Sequence, residues 1–172
     1  MNESKLSREW EFVVRILRES ERSELLDLLR AALKELDPEG RLFSATAPER
    51  LCELYLRLNR EQALPLLGFR APKNDDETAS GTAVVSFLLC RIETRPLRRD
   101  GDSVYVDMAY TLPEYRRRGC LTRMLSEMQS WARSVGIRTA ELGTPVGAEN
   151  ARRFWIGRGF EETFLSLQGP TS

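Results

Sequence analysis

At 172 residues the chain has the length of one domain with a sizeable core, so a single unit over residues 1–172 is expected. Its 26 Lys and Arg balance 26 Asp and Glu, so no global field favours nucleic acid or an anionic membrane surface as a partner. Histidine is absent, which excludes Ser-His-Asp and Cys-His nucleophilic schemes and most zinc sites, and Cys52, Cys90 and Cys120 are too scattered for a metal centre or a disulfide framework.

Taken in order, the chain opens on polar Met1-Asn2-Glu3-Ser4-Lys5. No apolar signal stretch follows, and no run approaches the roughly 18 residues of a membrane span, so a cytoplasmic location is expected. Glu11 to Leu17 reads as a strand. Ser20 is the expected N-cap of a helix whose apolar stripe runs through Leu25, Leu26, Leu28, Leu29, Ala32, Leu33 and Leu36. Asp37-Pro38-Glu39-Gly40 ends it. Thr46-Ala47-Pro48-Glu49 has the form of a capping box with Pro in the first turn, opening a second helix through Leu51, Leu54, Tyr55 and Leu58.

Leu64 to Arg70 reads as a strand despite Pro65, and the polar run from Pro72 to Ser80 as an exposed hairpin loop. Thr82 to Glu93 is the most continuous apolar strand and is expected to be central. A turn over Arg95 to Gly101, with Asp100-Gly101 at its tip, returns the chain antiparallel through Val104 to Thr111. Pro113 stops that strand, since it cannot donate to a ladder. Beyond Gly119 the period changes to 3.6, with Leu121, Met124, Leu125, Met128, Ala132 and Val135 on one face and Gly136 where a left-handed cap belongs. Thr139 to Pro145 reads as a further strand, giving a parallel β-α-β unit with Val104 to Thr111.

The loop Tyr115-Arg116-Arg117-Arg118-Gly119 therefore delivers three arginines and a glycine into a helix N-terminus, where free N–H groups and the helix dipole favour anions, phosphates above all. The alternative is a solvated basic turn. Cys120, at this N-terminus, is either a thiol made acidic by its surroundings or a small apolar filler. Further on, Glu149 to Phe160 is a short helix in which Gly159 occupies the position needing positive φ and Phe160 folds back as its apolar partner; a last strand, Phe160 to Leu167, follows.

These two stretches resemble the two cofactor motifs of the GNAT acetyltransferases. Arg116 and Gly119 match the first, (Gln/Arg)-x-x-Gly-x-(Gly/Ala), with Leu121 in place of its final small residue. Leu121 either crowds the cofactor or begins the apolar face of the helix. Ala151, Phe154, Gly159 and Phe160 match the second; Ala148 replaces its Asn, with Asn150 nearby, and Trp155 replaces the Tyr that often serves as general acid. The resemblance is good over residues 80–167 and rests on element order before that. It implies an α/β fold with a mixed, mostly antiparallel sheet, central splayed parallel strands and helices on both faces.

It further implies acetyl-CoA as co-substrate, with pyrophosphate on Arg116, Arg117, Arg118, Gly119, Cys120, Leu121 and Thr122. The pantetheine arm is expected along Ala109, Tyr110 and Thr111, with further contacts from Asn150, Phe154 and Trp155. An amine on a small molecule or a protein is the implied acceptor, by direct attack on the thioester, and a homodimer is compatible with the family. An alkylamine with a pKa near 10.4 benefits from a base at neutral pH. Asp107 is the first candidate and Glu141 the reserve, the alternative for Asp107 being a strand residue that points to solvent. A thiolate leaves without an acid, so Trp155 weakens catalysis without excluding it; a non-catalytic module of the same fold that binds acyl-CoA or a protein is the second reading.

Overall fold

The computed structural model describes residues 10–72, 83–97, 99 and 101–163. β-Branched and aromatic residues alternate in β1 (Trp10–Ile16), so that Phe12, Val14 and Ile16 pack inward while Val13 faces out. A 3-10 turn, Glu19–Glu21, leads into α1 (Arg22–Leu36). Ser20 thus lies in the turn and does not cap the helix, a correction to the expected start. Glu21 does the anchoring: its carboxylate accepts the Arg18 N–H at 2.9 Å and pairs with Arg15 at 2.8 Å. Leu25, Leu28, Leu29 and Ala32 are the buried stripe of α1. The helix ends at Asp37, whose carboxylate collects the N–H groups of Arg41, Leu42 and Phe43 at 2.7–2.9 Å.

α2 (Ala47–Arg57) begins after Thr46 with Pro48 in its first turn, but the Thr46 side chain makes no cap bond. The expected capping box does not form; Ser44 Oγ instead accepts the Thr46 N–H at 3.3 Å, drawing the local donor away from that geometry. Three long strands follow: β2 (Ala63–Pro72), β3 (Ala83–Glu93) and β4 (Ser103–Thr111), all antiparallel, with β3 central as expected. The hairpin loop read over Pro72 to Ser80 lies, past Pro72, outside the described residues, as does Asp100 of the second turn; Gly101 there has φ of 75°.

α3 (Cys120–Ser134) crosses to β5 (Ala140–Leu142), which pairs parallel with β4 through Val104↔Ala140 to Val106↔Leu142. The strand expected over Thr139 to Pro145 is therefore only three residues long. α4 (Glu149–Ile156) completes the described helices. Both α3 and α4 stop where their glycines direct. Gly136 and Gly159 have φ of 80° and 87°, and six-to-one bonds run from Ile137 to Ala132 and from Phe160 to Trp155. Phe160 then packs on Trp155, ring centroids 5.1 Å apart. Residues 160–163 are not in a strand, and the rest of the strand expected there lies outside the described residues.

The sheet order is β1-β2-β3-β4-β5. Period-2 alternation in β2 and β3 sends Leu67, Phe69, Phe87 and Leu89 to one face, under α1 and α2, and Leu64, Leu66, Leu88 and Cys90 to the other, under α3 and α4. Gly68 lets α3 approach β2, since a Cβ there would stand 2.6 Å from Cys120 Sγ. This is the mixed, mostly antiparallel sheet with helices on both faces. Among the described residues no helix is long and apolar enough to cross a membrane.

Candidate active site

β4 is paired on both sides only at its start. Its ladder with β5 ends at Val106↔Leu142, after which the chain turns away through Gly143 and Pro145. Opposite β3 the register shifts between Leu89↔Met108 and Cys90↔Val106, leaving Asp107 as the extra residue of a bulge. The Leu112 N–H bonds Val85 at 2.9 Å, so antiparallel alternation directs Ala109 and Thr111 away from β3, towards the side that β5 has left. The Thr111 carbonyl is taken by Arg116 Nε at 2.9 Å. The N–H groups of Ala109 and Thr111 and the Ala109 carbonyl thus face the gap, while Tyr110 turns its side chain to the α1 side.

The loop beyond leads straight to the N-terminus of α3. Arg117 and Gly119 both have positive φ, 60° and 82°. For a non-glycine residue that conformation costs of the order of 1 kcal/mol and is a feature of tight functional loops. No side chain caps α3, and its first helical bond is Arg123 N–H to Gly119, so the amides of Cys120, Leu121 and Thr122 have no acceptor within the helix. A Cβ built on Gly119 meets no protein atom within 4 Å. Open space therefore lies beside an electropositive set of amides, which suits a phosphate.

The arginines divide their labour differently from the sequence expectation. Arg116 reaches back to α1, where it bonds Glu35 at 2.6 Å and lies over the Tyr110 ring. That hydrogen bond, against the opposing effect of burial, holds the Glu35 carboxyl below the ordinary glutamate range. Arg116 is a brace for the loop in this arrangement, and Arg117 and Arg118 are exposed on the same loop. A fourth arginine, missed in the sequence, joins them: Arg158 at the end of α4 donates to Thr122 Oγ1 at 2.7 Å and lies over Phe154. Its place between Gly157 and Gly159, inside the second motif, was the available signal.

Cys120 is buried against Gly68, and desolvation raises its thiol above the ordinary value, so the packing reading holds and the acidic-thiol reading does not. Leu121 is half-buried against the α3 core and begins its apolar face. Trp155 is 8% exposed and wedged between Phe154 and Phe160, at 5.2 and 5.1 Å between centroids. The indole is a core residue, packed in the cluster beneath α3 and α4. Phe154 is partly buried in the same cluster, and Asn150 sits exposed in the first turn of α4 with Arg153 3.5 Å from its Oδ1.

Of the two acids, Asp107 stands at the bulge and Glu141 on β5 opposite Tyr105. Asp107 Oδ2 accepts Tyr55 Oη–H at 2.6 Å and Arg91 Nε–H at 2.9 Å. It does not point to open solvent. Glu141 Oε2 receives two nitrogens of Arg95, each at 3.1 Å. Glu93 bridges Arg91 and Arg95, and both guanidinium groups lie within 6 Å of the Tyr105 ring centre. Asp107 and Glu141 are thus the two ends of one charged chain, with Asp107 nearer the open part of β4. A separate apolar concavity between β1, β2 and α3, lined by Val14, Ile16, Leu66 and Trp131, lies at the far side of the sheet and shares none of these residues.

A split parallel pair whose open strand runs into an uncapped, glycine-bearing helix start is the arrangement that the family resemblance called for. Solved structures match the fold. An aminoglycoside N-acetyltransferase in complex with CoA has a TM-score of 0.72 at 17% identity, covering 95% of this chain and 97% of that one. An aminoglycoside antibiotic 6'-N-acetyltransferase from Acinetobacter baumannii has 0.69 at 18%, covering 94% and 99%. Glucosamine-6-phosphate N-acetyltransferase from Arabidopsis thaliana has 0.65 at 13%, covering 94% and 99%. No curated protein sequence matches. The family model for the acetyltransferase (GNAT) family matches residues 29–160, well over half the sequence, and the chain belongs to that family.

Proposed function

We propose that the protein transfers an acetyl group from acetyl-CoA to a primary amine of a small molecule. The observation that carries this is the open edge of β4: it parts from β5 after Val106, presents Ala109 and Thr111 outward, and leads into the amides of Cys120 to Thr122. These residues fit an extended pantetheine with a pyrophosphate at its end, the backbone pairing as a strand would. Bound there, acetyl-CoA supplies a thioester carbonyl and a thiol leaving group. The Ala109 N–H, aimed into the gap, is the donor placed to hold the carbonyl oxygen as it gains charge. Asp107 takes one proton from the acceptor ammonium, and the freed nitrogen lone pair forms the C–N bond. The C–S bond breaks with its electrons leaving on sulfur, and the second proton, shed by the new amide nitrogen, goes to that sulfur to give the free thiol. Arg117, Arg118 and Arg158 supply charge for phosphates, and Arg116 holds the loop on Glu35.

The relatives act on aminoglycosides and on an amino-sugar phosphate, which favours a small amine over a protein as acceptor. Thiol release from acetyl-CoA, measured across amino sugars, aminoglycosides and polyamines, tests the reading; amine-dependent turnover is expected. A second reading, a binding module without turnover, is favoured by Trp155, which leaves the α4 tyrosine position without a hydroxyl. Saturating acetyl-CoA at about 100 times Kd adds roughly 2.7 kcal/mol of stability. A raised melting temperature with no thiol release from any amine would select the module; neither signal would remove both readings.

A further inference from the structure

We propose that Tyr55 is the positioning residue for Asp107, holding Oδ2 so that Oδ1 is the atom offered to the acceptor's proton. The inference rests on the acyltransferase reading above. Asp107 has no ladder partner at the bulge, so backbone pairing alone does not fix its side chain. Two donors from two different elements do. Tyr55, 52 positions away on α2, supplies its hydroxyl, and Arg91 on β3 supplies Nε–H. At 2.6 Å the phenol bond is a short charge-assisted one.

Tyr55 is built for this. Its ring is 2% exposed and belongs to the core cluster of Leu25, Leu29, Phe87 and Leu89, so the hydroxyl is fixed with the rigid body of the sheet and helices. Burial, and then the Asp107 carboxylate, push its ionisation far above the ordinary tyrosine value. It therefore remains a donor at every pH at which the protein works. Arg91 is in turn held by Glu93. The other titratable neighbour on β3, Cys90, has its thiol pushed up to about 12 by burial and stays neutral. Arg95 and Glu141 close the same charged chain on the β5 side. With the phenol gone, Arg91 alone would steer the carboxylate, and Oδ1 would lose its fixed direction.

The test uses Tyr55→Phe, which keeps the ring and so the core, with Arg91→Gln as a second way of removing one donor. For Tyr55→Phe, kcat should fall about tenfold, the order expected for one bond to a charged group, with both KM values changed less than about twofold. In an Asp107→Asn background the same substitution should cost nothing further. The 13C chemical shift of the Asp107 carboxyl at neutral pH should differ from the parent in Tyr55→Phe and in Arg91→Gln, since each removes one of the two donors on Oδ2. Unchanged kcat, or a Tyr55→Phe penalty that persists in Asp107→Asn, would overturn the proposal. Should the protein turn over no amine, the acyltransferase reading fails separately. The carboxyl chemical shift then still decides the Tyr55 contact, since an unmoved resonance rejects it.

Discussion

The loop from Arg116 to Thr122 and the helix from Glu149 to Ile156 match their family motifs about equally well, yet the fold uses them in different ways. The loop contributes through its main chain. Two left-handed residues and an uncapped helix start expose its amides, and the departure at Leu121 leaves that geometry intact because the side chain packs against the core. The helix would contribute through side chains, and there a single replacement changes what is presented. Trp155 is too large for the position of a site tyrosine and turns into the core between Phe154 and Phe160. A motif read by backbone tolerates drift in its side chains; one read by side chain does not.

That contrast can be broken by mutation. The largest expected effect is on the helix: Trp155→Ala should cost about 3–5 kcal/mol of stability, the usual range for a buried aromatic, seen as an earlier urea midpoint. If the variant unfolds like the parent but loses acetyl-CoA binding, Trp155 faces the cofactor after all. Next comes the loop. Gly119→Trp fills the open space beside the amides and should weaken acetyl-CoA binding at least about a hundredfold by calorimetry, or roughly 2.7 kcal/mol, and abolish transfer. The fold should survive, with the left-handed strain of about 1–2 kcal/mol. Undiminished affinity would move the cofactor elsewhere.

The smallest effect separates Arg116 from its fellow arginines. Because the Glu35 carboxyl is held below its ordinary range by Arg116, the pair stabilises the fold above the unfolded glutamate value near 4.3. That contribution is lost as pH falls through the lower folded value. Both side chains are over a third exposed, so less than about 1 kcal/mol is at stake. Glu35→Gln should flatten the change in stability between pH 7 and pH 3 while leaving acetyl-CoA affinity within about twofold. A large loss of affinity would mean that the brace shapes the phosphate loop itself.

How much was legible beforehand varies with the range of the interactions involved. The apolar stripes of α1 and α3, the strands β1 to β4 and the glycine ends at Gly136 and Gly159 are local patterns, and they were read from the chain directly. The misread start at Ser20 and the capping box expected at Thr46 failed where local donors had several acceptors within four residues and packing chose among them. Asp107 was selected as a candidate, but its setting depends on Tyr55 and Arg91, neither of which any short-range pattern connects to it. Arg158 was overlooked for the same reason, since its partner Thr122 lies 36 positions earlier.

By itself, then, the sequence determined the family, the order of strands and helices, and the glycine-bearing loop into α3, because periodicity, glycine positions and motif spacing are properties of neighbours along the chain. Only the tertiary structure decided which charges remain available. It consumed Arg116 in a brace with Glu35, buried Trp155, brought Arg158 to the mouth of α3 and fixed Asp107 from two other elements. Ion pairs and buried rings are settled by what the folded sheet brings within about 3 to 6 Å of them, and that distance has no counterpart in residue number.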